Sequence, residues 1–184
     1  MTAIRLPYSL SRPAIGVGAL VAASLLFTVG FACAVPLAAF AAIAAVSFDR
    51  RKALIAIGAV WLANQAWGFA FMHYPLDGET FAWGGALGVI AALSCEAAGL
   101  AHRRFSGAIG FVAVFLSAFL VYEGALILID LVIAQSADDF APAVVTRIFL
   151  INACAFGGLL ALSTLVANVA PKREIAAALA PRHV

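Results

Sequence analysis

Trp61–Gly85, WLANQAWGFAFMHYPLDGETFAWGG, decides how the rest of the chain is read. It begins inside an apolar segment, carries the amide pair Asn64-Gln65 into it and leaves it at His73-Tyr74-Pro75. A short acidic turn follows, and apolar sequence resumes at Phe81. A helix needs about 20 apolar residues to cross the hydrocarbon core of a bilayer. The apolar runs on either side, Ala53–Met72 and Phe81–Ala101, have that length and predict two spans joined by loop 73–80.

The whole chain agrees with this hairpin. Of 184 residues, 65% are hydrophobic and 11% charged, and the mean hydropathy is +1.08. A soluble domain has about 45–50% apolar and about 25% charged residues, so no soluble fold could cover this much apolar surface. The net charge of +2 and the lack of a basic stripe interleaved with aromatics exclude nucleic acid as a partner. Cys33, Cys95 and Cys154 stand singly in apolar segments, which indicates neither a zinc site nor a disulfide framework. They are read as buried thiols, or one as a soft ligand.

Outward from the hairpin, the uncharged run Ala14–Phe48 is 35 residues, too long for one span. Pro36 divides it into helices at about 14–34 and 36–48, the second short. Ala32-Cys33-Ala34 has the small residues of a signal-peptide cleavage site, but the apolar run before it is longer than such peptides carry. Asp49-Arg50-Arg51-Lys52 closes this pair. Beyond the central hairpin, spans are expected at about 106–133 and 141–170, the last stopped by Pro171-Lys172-Arg173. With the N-terminus inside, six spans put ten of the eleven basic residues on the cytoplasmic side and leave only Arg147 elsewhere. Five spans would export Arg5 and Arg12. The predicted fold class is therefore all-α: one integral domain over 1–184, a polytopic membrane bundle of six transmembrane helices with N and C termini cytoplasmic, multi-pass in a bacterial-type inner membrane.

Polar groups at hydrocarbon depth are costly, about 2.5–3.5 kcal/mol for a central charge, so each is a functional candidate. Trp61, Asn64 and Gly68 share a helix face, with Gln65 beside them; the amides either contact a ligand or bridge two helices. Glu123 and Asp130 are seven residues apart on one face of the fifth span. Arg147, about two turns into the sixth, could pair with Asp130, with Cys154 seven residues deeper on the Arg147 face. That pair either locks two helices or belongs to an outward-facing pocket of spans three, five and six under loop 73–80. His73 and Tyr74 lie at the outer interface, where a single histidine more often anchors at headgroups than binds a metal. Glu96, two turns before His102-Arg103-Arg104, could snorkel or pair there. Small residues recur four apart at Gly18/Ala22, Ala19/Ala23, Ala38/Ala42, Ala41/Ala45 and Gly84/Gly88, spacings that let helix backbones approach closely. No HExxH, GxSxG, phosphate-binding Gly-rich loop or CxxCH is present, so no enzyme class is indicated.

Six spans in about 180 residues, both termini inside, a small-residue-rich first helix and polar groups gathered at the outer face resemble the substrate-binding S components of energy-coupling-factor vitamin transporters, above all those that serve alone in proteobacteria. The resemblance implies capture of a vitamin or similar micronutrient from outside. It also implies that the Gly/Ala faces of the first helices pack on a transmembrane coupling protein driven by ATPases. Cobalamin is one conceivable ligand, because Cys or His can approach cobalt. No resident cofactor is implied, and a bound vitamin or corrinoid would be cargo. A non-transporting accessory or assembly subunit, whose polar residues only lock helices, is the other reading.

Overall fold

The computed structural model of the chain describes residues 13–31, 35–133 and 141–178. Arg5, Arg12, Cys33, Asp138, Asp139 and Arg182 lie outside the described residues, as does the side chain of Asp130. Six helices follow in order: α1 Pro13–Phe31, α2 Leu37–Ser47, α3 Arg50–Phe71, α4 Gly78–Arg104, α5 Gly107–Ile133 and α6 Pro142–Ala178. Among the described residues four of them, α3 to α6, are long and apolar enough to cross a membrane.

Apolarity on every face is what marks these helices as lipid-facing. On α5 the inward stripe is Val114, Phe115, Ala118, Phe119 and Tyr122, yet the outward residues Ile109, Val112, Leu120, Leu128 and Leu131 are apolar too and more than half exposed. A soluble helix would carry charge there.

The bundle is organised around α2. Its eleven residues span about 16 Å at 1.5 Å per residue, half of a bilayer core. The helix expected at about 36–48, and short, is present at Leu37–Ser47, too short for a full crossing and with every residue from Leu37 to Val46 buried. It packs against α3, α4, α5 and α6, and Phe27 of α1 meets its Phe40 edge-on with ring centroids 6.0 Å apart. The alanines that read as a docking face, Ala38, Ala41, Ala42 and Ala45, are therefore spent inside the protein. Short side chains are what allow four helices to close around a fifth.

Local chemistry sets the helix ends. Asp49 caps α3 by accepting the Lys52 N–H at 3.1 Å, so Arg50, Arg51 and Lys52 open α3 rather than closing the preceding pair. Asp77 caps α4 in the same way, accepting the Thr80 N–H at 2.8 Å, which shortens the expected loop 73–80 to Met72–Asp77. The turn from α4 to α5 passes through Gly107, whose φ of +68° suits a residue without Cβ. The sixth helix was expected to stop at Pro171 but continues to Ala178. Proline there removes one N–H bond, and Glu174–Ala178 is rich in strong helix formers that resume the helix beyond it.

Arg50, Arg51, Lys52, Arg103 and Arg104 gather at one end of the bundle, and Asp77 and Glu79 at the other. At the basic end Arg50 Nε of α3 donates to both oxygens of Glu96, at 2.8 and 3.0 Å, so Glu96 pairs across to α3 rather than with His102-Arg103-Arg104 of its own helix. Phe48, Asp49 and Arg50 line one hollow there with Glu96, His102 and Arg103. Short as it is, α2 returns the chain to the basic end.

Candidate functional site

The inner end of α2 is also the floor of a cavity. The first N–H groups of a buried helix have no partner within the helix and must find one elsewhere. Three devices meet them. Pro36, at φ −76° and ψ 67°, forms an inverse γ-turn in which the Leu37 N–H reaches the Val35 carbonyl at 2.8 Å. The Phe40 N–H reaches the Pro36 carbonyl at 3.1 Å. From α6, Asn152 Oδ1 accepts the Ala39 N–H at 3.1 Å, while its Nδ2 donates to Ile148 O at 3.0 Å. Asn152 is only 2% exposed. Sequence reading passed over it, although an amide in the middle of LINACAF was the available signal.

Above this floor lies a cavity of about 500 Å³, walled by α1, α3 and α4 and reaching Tyr122 of α5. Trp61, Asn64, Gln65, Tyr74, Trp83 and Tyr122 line it, with Asp77, Glu79 and Thr80 at its loop edge. Of the eight residues singled out from sequence, Trp61, Asn64, Gln65 and Tyr74 are brought together here. Of the other four, His73, Glu123 and Arg147 are not, and the side chain of Asp130 lies outside the described residues. His73 is an exposed turn residue at φ +57° beyond the end of α3, and its side chain does not line the cavity. Arg147 is exposed on α6, as is Cys154, so the expected pocket of spans three, five and six is not where the cavity lies. Helices α5 and α6 instead meet through rings, Phe115 on Phe156 at 5.3 Å and Phe119 on Phe149 at 5.1 Å. An Asp130–Arg147 pair falls outside the described residues. Glu123, one turn from Phe119 toward the loop end, is 4% exposed, and neither carboxylate oxygen finds a hydrogen-bond partner among the described residues. It is the neighbour of Tyr122 but not part of the wall.

The two amides of the central stretch have different work. Asn64 is consumed: its Nδ2 donates to Ser24 Oγ at 3.0 Å and to Val60 O at 2.8 Å, and its Oδ1 accepts from the Thr28 hydroxyl. Ser24 passes its own proton to Val21 O at 2.8 Å. This closed network ties α1 to α3 and leaves Asn64 little to offer a ligand. Gln65 has no hydrogen-bond partner among the described residues, so its amide is the one available in the cavity wall.

Glycines give the wall its shape. Trp61 lies on α4 where a Cβ at Gly88 would stand 2.8 Å from its Cε2, and its Nε1 donates to Gly84 O at 2.8 Å. A Cβ at Gly84 would stand 2.9 Å from Gln65 Oε1. The Gly84/Gly88 spacing thus seats two side chains of α3 rather than another backbone. A Cβ at Gly68 would run into the ring of Tyr74. The Tyr74 N–H returns to Gly68 O at 3.2 Å, and Phe69 stacks on Phe81 at 5.1 Å and meets Tyr74 edge-on at 5.9 Å. The loop therefore lies over the cavity mouth. Hydrogen bonds from Thr80 hold the Asp77 carboxyl below its ordinary 3.8 and keep it charged at neutral pH.

Thr28, Trp83 and Tyr122 are among the lining residues that sequence reading did not single out. Each lies on an apolar helix whose inward face only packing identifies. Among the described residues no group of three or more His, Cys, Asp or Glu could hold a metal ion. No family model, curated protein or solved structure matches the chain.

Proposed function

We propose that this chain is a small-molecule binding and uptake component of a bacterial-type inner membrane, with its cavity open to the outside and six membrane-inserted helices. The observation that carries the reading is the cavity itself. At about 500 Å³ it has the size of a small-molecule site, and it combines aromatic walls with few convergent polar groups. Its floor is the end of a half-length helix buried at apolar depth, an arrangement used for binding sites in transporters. Basic residues at the opposite end of the bundle support a cytoplasmic placement of that end, with both termini on the same side.

A ligand of vitamin size is consistent with the volume. Among the described residues the lining holds no Cys or His, so a corrinoid would meet no cobalt-seeking side chain from them. The chain would need a coupling protein and ATPases for driven uptake, unless it acts alone. Gly18, Ala19 and Ala22 of α1 are exposed and available for such a partner, and that same face supports the second reading, an accessory subunit of a larger membrane complex.

Native mass spectrometry of protein released from mild detergent separates the two. A discrete added mass of a few hundred daltons, the range of a pocket-sized ligand, is the expected result. Lipid adducts alone, repeated after feeding candidate vitamins, together with strict co-purification of a larger partner, would overturn the uptake reading.

A further inference from the structure

We propose that the cavity takes an organic cation, a protonated amine or quaternary ammonium group. This rests on the small-molecule reading above and names its ligand class. Among the described residues the charged side chains lining the cavity are Asp77 and Glu79, and no Lys, Arg or His lines it. Four aromatic residues, Trp61, Trp83, Tyr74 and Tyr122, contribute to its walls. Aromatic faces attract cations through their ring quadrupole, and desolvation strengthens the attraction. Two carboxylates at the mouth of a low-dielectric cleft focus a field that draws a cation in.

One feature of the site opposes this class: the N-terminus of α2 at the floor carries partial positive charge, which favours anions. Three of its first four N–H groups are already engaged, however, and the fourth belongs to Ala38, which is fully buried. Leu37 is bonded to Val35 O, Ala39 to Asn152 Oδ1 and Phe40 to Pro36 O. A buried anion would find those donors taken. The Gln65 amide offers a carbonyl oxygen to an N–H or hydroxyl of the ligand.

The test uses three probes of one shape and different charge: choline, its neutral carbon isostere 3,3-dimethylbutan-1-ol, and the anion 3,3-dimethylbutanoate. Binding to the full chain in detergent is read by tryptophan fluorescence and by competition in native mass spectrometry. Choline should bind about tenfold tighter than the neutral isostere, with the anion weakest. Trp83→Leu should remove most of that preference, and Trp67→Leu, whose ring packs on Phe71 with centroids 4.3 Å apart outside the cavity, should not. Glu79→Gln, an exposed change in the first turn of α4 that does not disturb packing, should lower choline affinity about threefold and flatten its dependence on salt. Equal or tighter binding of the alcohol or the anion overturns the cation class and leaves the uptake reading standing. So does an endogenous adduct that proves neutral or anionic, whereas a cationic adduct supports the inference. Failure of all three probes, with lipid as the sole adduct, overturns both.

Discussion

Asn152→Ala should lower the thermal midpoint of the protein far more than its modest size change suggests. The side chain is 2% exposed and supplies the acceptor for the N–H of Ala39, a fully buried residue. Removing the acceptor leaves that donor unmet, at a cost of about 1–3 kcal/mol. The amide's departure also leaves space between α2 and α6, and a void adds about 24 cal/mol per Å³ that fails to collapse. Together these give about 2–4 kcal/mol. For a chain of this length each kcal/mol moves the midpoint by about 2–4 °C, so the expected fall is about 4–16 °C. Ser94→Ala is the matched control. Ser94 is equally buried, but its hydroxyl bonds only to Ile90 O at 2.8 Å in its own helix, so its loss should cost about 0.5 kcal/mol or less. The assay is a thermal ramp in detergent with a thiol-reactive dye reporting Cys95, which is buried, in a background where Cys33 and Cys154 are serine. Midpoints for the two variants within about 2 °C of each other would refute the reasoning, for α2 would then not depend on Asn152 for its buried end.

Gly68→Ala should displace the Tyr74 ring and weaken binding of whatever small molecule is carried at least tenfold, whereas Gly58→Ala, with open space around it, should leave binding unchanged; equal affinities would show that the loop does not roof the site. Asn64→Ala should cost about 1–2 kcal/mol of stability by releasing Ser24 and Thr28 of α1 from α3, and it should not change ligand affinity in the protein that remains folded. A loss of affinity at unchanged stability would make Asn64 a contact residue instead. The Asp77 cap of α4 should survive mild acid. Its carboxyl titrates below the ordinary 3.8, so its contribution is present above that value and is lost only as pH falls further. Trp83 fluorescence constant from pH 7 to about 4.5 and changing below pH 4 is the expected profile, and a transition near pH 6 would contradict it.

Much of the fold was legible because the bilayer imposes simple rules. Apolar runs of span length gave α3, α4 and α5 to within three residues at each end, and Arg50, Arg51, Lys52, Arg103 and Arg104, expected on one side, gather at one end of the bundle. The ends were less legible. Asp49 and Asp77 act as N-caps, so polar residues that read as loop are the first turns of helices. At the site, Trp61, Asn64, Gln65 and Tyr74 fell together because they lie on one helix and the turn after it. Glu123 and Arg147 were assigned by depth alone, and depth does not say which way a side chain points around its helix. In a helix that is apolar on all faces, no pattern in the sequence marks the inward one.

By itself the sequence determined that this is a helical protein with several segments able to span a membrane, since its apolar runs are uninterrupted and about 20 residues long, the length of a spanning helix, without the alternation of a barrel strand. Tertiary structure alone decided that α2 is the central helix, that Asn152 meets its buried end, that Asn64 is bound up in holding α1, and that Gln65 faces a cavity beneath Tyr74. Those outcomes depend on which helices are neighbours and in what register. Contacts between residues as far apart as Ala39 and Asn152 are set by packing the whole bundle, not by any local run of the chain.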